Sequence, residues 1–305
     1  MAASIGPDSE SARLYQEARS LYVSGRRDEA IKILEGLANE GLGPAQAALG
    51  NMLLFCPVPD PVRAKFWLEK AAANLVAEAY YGLGMISLHG LESEKSPHQA
   101  ASHFFEGAKI GDAQCCEMLG EMFASGKLGE CRHDLAIPVY QQAASGGSAL
   151  AQRRLGVYFS DGKEVEQDLS LARDFYEAAA MQGDPYAANN LALMYERGRG
   201  IEVDIDKAIF FYRIAADSGI PTAFQNLAAC LAHPDAAHPD LEEAANWFHK
   251  GADAGLSLSM LSLARIYSHG EGVIKNLQLA EYWRQRAAQT LDPEIDGNPI
   301  IPGKN

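Results

Sequence analysis

Ala187-Ala188-Asn189-Asn190-Leu191-Ala192-Leu193-Met194-Tyr195-Glu196-Arg197-Gly198 is the stretch that decides the fold. Ala187, Leu191, Met194 and Tyr195 stand at i, i+4, i+7 and i+8, one apolar stripe of helical period. Gly198 and Gly200 break it. A second stripe follows in Ala208, Phe211, Tyr212, Ala215 and Ala216, and Gly219 stops that one. Residues 184–219 therefore read as two helices joined by a glycine-bearing turn.

The same layout recurs every 36 residues. Stepping from Ala64 gives Ala100, Ala136, Ala172, Ala208, Ala244 and Ala280. From Ala72 it gives Ala108, Ala144, Ala180, Ala216, Ala252 and Ala288. A leucine column runs Leu83, Leu119, Leu155, Leu191, Leu227, Leu263, and Leu49 joins it two residues out of step. The residue after each leucine is glycine or alanine. Glycine fills the connection at 90, 126, 162, 198 and 270, with Pro234 as the exception, and closes the unit at 111, 147, 183, 219 and 255. Small residues where helices cross let backbones approach, so that bulkier neighbours such as Phe211 and Trp247 can interlock.

Length alone, 305 residues, would suggest about two ordinary domains. The repeat replaces that with one continuous array. The expected organisation is a disordered N-terminus over 1–10, a divergent helix pair over 11–44, seven repeats over 45–290 and a Pro-rich tail over 291–305. The first repeat is 34 residues long and the others 36.

Asp plus Glu number 40 against 26 Lys plus Arg, a net charge of −14 spread evenly along the chain. That field repels nucleic acid and anionic membranes, so neither is expected as a partner. No apolar run is long enough to cross a bilayer, and the N-terminal residues do not read as a secretory signal. The expected location is cytoplasmic. The five cysteines (Cys56, Cys115, Cys116, Cys131, Cys230) are odd in number and irregularly spaced, which fits a chain without a disulfide framework.

Each unit reads A-x-x-x-L-G/A-x-x-Y, then a glycine-bearing connection, then an Ala-rich helix with aromatic residues. Ala151, Leu155, Gly156 and Phe159 follow this pattern, as do Ser259, Leu263, Ala264, Tyr267, Gly270 and Gly272. This resembles the Sel-1-like repeat family, relatives of tetratricopeptide repeats. The resemblance implies an all-α fold, an α-α superhelix forming a right-handed solenoid with a concave inner face. It also implies the work of a non-catalytic scaffold or adaptor holding a protein or peptide partner in signalling or complex assembly. A secreted branch of the family carries a cysteine pair in each repeat and has members credited with penicillin binding. This chain departs from it, because Cys115, Cys116 and Cys131 cluster in one repeat.

In tetratricopeptide-like solenoids the first helix of each unit lines the concave face. With the leucine column as zero and about 100° per residue, positions −5, −2 and +2 point away from the core and −1 lies on the flank. The −5 column reads Pro44, Glu78, Gln114, Leu150, Tyr186, Thr222, Leu258, and the −2 column Ala47, Tyr81, Glu117, Arg153, Asn189, Gln225, Leu261. The +2 column reads Asn51, Met85, Glu121, Val157, Leu193, Ala229, Arg265. From these columns and the flank, the residues expected to meet a partner are Tyr81, Met85, Leu150, Arg153, Arg154, Val157, Tyr186, Asn189, Asn190, Leu193, Gln225 and Asn226. Amides can pair with a peptide main chain, arginine with a carboxylate, and the apolar positions with side chains.

The residues give little sign of catalysis. His89, His233 and His269 share one column, but units stack about 10 Å apart, whereas metal donors must converge near 2 Å. No catalytic residue, metal or cofactor is expected. Gly198-Arg199-Gly200 and Gly270-Glu271-Gly272 follow no strand and are repeat connections, not phosphate loops. The competing readings are a hydrolase of penicillin-binding or β-lactamase-like type, a redox enzyme using Cys116 and Cys131, and a structural spacer.

Overall fold

A computed structural model describes residues 10–92 and 94–290. Among them lie sixteen helices and no strand. α1 (Glu10–Val23) and α2 (Arg27–Asn39) come first. The first and second helices of the repeating units follow: α3 (Gly43–Leu54) and α4 (Pro61–Ala73), α5 (Ala77–His89) and α6 (Pro97–Lys109), α7 (Ala113–Ala124) and α8 (His133–Ser145), α9 (Ala149–Asp161) and α10 (Leu169–Met181). The remaining pairs are α11 (Pro185–Arg197) and α12 (Ile205–Asp217), α13 (Pro221–Leu231) and α14 (Leu241–Asp253), α15 (Ser257–His269) and α16 (Leu277–Thr290). The expectations for residues 1–9 and for the tail 291–305 fall outside the described residues; Glu10 opens α1.

The chain forms two compact units, Met1–Leu155 and Gly156–Asn305, and the division falls inside α9. In the first unit α1 to α8 pack in succession, and first helices also touch one another, α3 with α5 and α5 with α7. In the second unit α10 to α16 pack in the same succession.

Local sequence explains where the helices begin and end. Asp60, Asp112, Asp168, Asp184, Asp204 and Asp240 each stand just before a helix, and their carboxylates accept the backbone N–H three residues on. Every unit that ends within the described residues closes on a residue with positive φ. That residue is glycine at 41, 111, 147, 183, 219 and 255, but Leu75 at the equivalent position, with φ 57°. At Pro234 the column of connection glycines fails, because proline cannot take a left-handed φ. α13 accordingly spans 11 residues where α11 spans 13.

The core follows the columns. Leu49, Leu83, Leu119, Leu155, Leu191, Leu227 and Leu263 are all buried, each worth roughly 1.5–3 kcal/mol of transfer free energy. Alanines 64, 100, 136, 172, 208, 244 and 280 are completely buried. The small residue after each leucine makes room for a ring: a Cβ on Gly120 would lie 2.7 Å from Tyr140, and one on Gly156 2.6 Å from Tyr176.

The second alanine column behaves differently. Ala288 is exposed and Ala72 and Ala144 are half-buried. The closely packed set lies one residue earlier, at Ala71, Gly107, Ala143, Ala179, Ala215, Gly251 and Ala287, all buried. A Cβ on Gly107 would run into Cys115, and one on Gly251 into Ser259. The first helices carry alanine at the equivalent positions 79, 151, 187 and 223. Where the second helix gives up a methyl group, the next first helix fills the space with a larger side chain.

Candidate functional site

Outward positions of the first helices line a depression in each unit. In the first unit a depression of about 310 Å³ is lined by Asn51, Phe55, Tyr81 and Gln114, from α3, the residue capping it, α5 and α7. The Phe55 and Tyr81 rings lie 5.9 Å apart, and Tyr81 lies 6.2 Å from Phe104. The Asn51 amide nitrogen donates to the Glu78 carbonyl at 3.1 Å, while its oxygen has no hydrogen-bond partner. Burial raises the Tyr81 phenol above its ordinary pKa, and Glu117 and Asp112 push it further in the same direction.

Glu117 is half-buried and accepts the Ser148 hydroxyl. Burial lifts its carboxyl above the usual range; Ser148 opposes the shift and Asp112 and Glu121 add to it. Glu121 has three donors. Arg154 grips it at 2.6 and 3.0 Å, and the Tyr140 hydroxyl donates at 2.8 Å. Arg154, expected to meet a partner's carboxylate, is thus held by a carboxylate of its own chain. Tyr81, Met85, Leu150, Arg153 and Arg154 are all half-buried, and Met85 packs against the α1–α5 core.

In the second unit a depression of about 390 Å³ is lined by Gln225, Ala229, Phe248, Leu258, Leu261, Ser262 and Arg265, from α13, α14 and α15. Leu258 is 52% and Leu261 42% exposed, high values for leucine on a helix with a buried core face. Arg265 pairs with Glu271 at 2.9 Å. Of the predicted residues in this unit, Gln225 lines the depression. Asn190 and Ser160 act on the Tyr176 phenol, each opposing the rise in its pKa that burial causes. The Asn189 side-chain oxygen is buried without a partner. Val157, Asn226 and Leu193 are half-buried and Tyr186 is 38% exposed.

The columns contain residues that the expected set left out: Asn51 and Gln114 in the first unit, Leu258, Leu261 and Arg265 in the second. Their signal was membership of the −5, −2 and +2 columns. Phe55 lies beyond those columns, in the connection after α3, and only the folded chain brings it to Tyr81.

Three of the five thiols are buried. Cys115 and Cys116 are buried; burial pushes the Cys115 thiol far up and Cys116 up to about 11. A thiol so raised is not a thiolate at neutral pH. Cys230 is pushed up to about 12 by burial. Among the described residues no group of three or more His, Cys, Asp or Glu is placed to hold a metal ion, and no helix is long and apolar enough to cross a membrane.

Comparison with known proteins accords with this geometry. The Sel1 repeat model matches residues 43–74, 77–112, 149–184, 185–220, 226–256 and 257–289. The helices α7 and α8 lie in the interval it leaves. The fold is similar to that of c5321, a protective antigen of uropathogenic Escherichia coli strains with an SLR fold: TM-score 0.81, 25% identity, 94% of this chain and 66% of that one. It is also similar to a Sel1 repeat protein from Oxalobacter formigenes, with TM-score 0.68 and 28% identity over 79% of this chain and 99% of that one. Mouse DAP3-binding cell death enhancer 1 is 30% identical over 97 residues, which is 32% of this chain and 19% of that protein. Solenoids of this kind commonly serve as protein-interaction scaffolds and are generally non-catalytic. With the 36-residue period, the stacked helical pairs and a family model matching well over half of its length, the chain belongs to the Sel1 repeat family.

Proposed function

We propose that this chain is a non-catalytic scaffold or adaptor that binds a protein or peptide partner on the outward faces of its first helices, in signalling or complex assembly. The observation that carries the reading is the location of the two depressions. Both are lined mainly by first-helix columns, one in each unit, and both set apolar side chains beside at least one side-chain amide. Exposed apolar surface rimmed by polar groups marks contact sites, and amides can meet a peptide's main chain.

The test is quantitative affinity capture from the native cell. Leu258→Glu with Leu261→Glu places charge in the second depression. Phe210→Glu alters α12, where the ring is 57% exposed and away from the first helices. The expected result is a set of proteins lost at least about tenfold, or 1.4 kcal/mol, with the double variant and retained with Phe210→Glu. Equal capture by all three forms would sink the reading.

A further inference from the structure

The two depressions differ in charge. The second is lined by two leucines, a phenylalanine and one amide, Gln225, and its arginine is already paired. The first has two aromatic rings and two amides, and carboxylates lie around it. Glu78 stands one turn before Tyr81 on α5. Glu117 holds the position on α7 that Tyr81 holds on α5. The Tyr81 phenol feels both Glu117 and Asp112.

Those carboxylates are not equally free. Asp112 caps α7, accepting the Cys115 N–H at 2.6 Å. Glu121 is neutralised by Arg154. Glu78 and Glu117 stand in no ion pair among the described residues, and Glu117 is half-buried with only the Ser148 hydroxyl on it. A half-buried carboxylate without a cation costs stability. The face of an aromatic ring is the negative end of its quadrupole and attracts a cation. The rings and the free carboxylates therefore call for the same occupant, a cation rich in N–H donors.

We propose that the depression at Asn51, Phe55, Tyr81 and Gln114 receives an arginine side chain from the bound partner, its guanidinium against the Phe55 and Tyr81 rings and its N–H groups on Glu117 and Gln114. Arginine suits the site better than lysine. Its planar group stacks on a ring while its edge donates in a fork, whereas an ammonium is a compact, strongly hydrated point charge. An acidic or purely aliphatic side chain would leave Glu117 either repelled or desolvated without a counter-charge. The inference rests on the partner-binding reading and specifies one contact of it.

The experiment is an NMR titration of the full chain with N-acetyl-arginine amide and, separately, its uncharged isostere N-acetyl-citrulline amide. The arginine probe is expected to give saturable shifts of the Asn51 and Gln114 side-chain amides, and citrulline none. Tyr81→Leu and Glu117→Gln should each weaken the arginine response by roughly two- to fivefold, the worth of a partly exposed cation–π contact. Glu117→Gln serves if Tyr81→Leu fails to fold. The fold holds this carboxyl's pKa up, so the native state loses stability as pH rises through that range, and the amide is expected to keep or raise the Tm. Equal shifts from both probes, no saturable shift, or an unchanged response in Glu117→Gln would each overturn the proposal. N-acetyl-lysine amide matching arginine would overturn the guanidinium assignment. Failure here alongside partner loss in Leu258→Glu/Leu261→Glu would remove this contact and leave the scaffold reading standing.

Discussion

Leu75 sits where its equivalents in other units are glycine, with φ 57° and its side chain 70% exposed. A side chain in the left-handed region costs roughly 1–2 kcal/mol, and exposure means little packing is gained in return. Leu75→Gly is therefore expected to stabilise the first unit by about 1 kcal/mol, the backbone strain relieved less the extra freedom of glycine in the unfolded chain. Chemical denaturation followed by circular dichroism measures it. Gly111→Ala should move the opposite way, because φ there is +90° although nothing crowds the site. A destabilised Leu75→Gly would show that the leucine makes contacts that outweigh its backbone. The turn glycines were readable from the sequence because glycine is the residue that left-handed backbone selects. Leu75 was invisible as a turn residue for the same reason.

At the scale of the element, the helices meet through paired small residues. Gly107 on α6 faces Cys115 on α7, and Gly251 on α14 faces Ser259 on α15. Alanine stands on both sides at 71 and 79, 143 and 151, 179 and 187, and 215 and 223. Gly107→Ala alone is expected to cost about 1–3 kcal/mol by overpacking against Cys115. Adding Cys115→Ala removes the sulfur 2.3 Å from the new methyl group but keeps the Cβ of residue 115 at 2.9 Å and that of Tyr80 at 3.0 Å. The double variant should therefore recover part of that loss, with a coupling of about 1 kcal/mol or more in thermal unfolding. Simple additivity would show that the two positions do not share space. The sequence displayed this packing only in part. The glycines at 107 and 251 interrupt the alanine run, so the eye settles on the unbroken column one residue later, where Ala72 and Ala144 are only half-buried and Ala288 is exposed. Residues on two helices had to be seen together before the exchange of volume made sense of the interruption.

At the scale of the whole chain, the repeat made the architecture legible, since every unit restates the same two stripes and two stops. The faces were legible as columns: −5, −2 and +2 do line the open depressions. Which members of a column stay available was not legible, because that depends on neighbours distant in sequence. Arg154 is taken by Glu121, 33 residues away, whereas Leu258 and Leu261 remain uncovered. Phe55 reaches Tyr81 from a connection that carries no column of its own. The central claim is that partner contact falls on the first helices. Hydrogen–deuterium exchange of the full chain, alone and with a captured partner at saturation, tests it most directly. The account predicts added protection in α3, α5 and α7 or in α11, α13 and α15, with α4, α6 and α12 unchanged. Protection confined to the second helices, with the first helices unaltered, would contradict it.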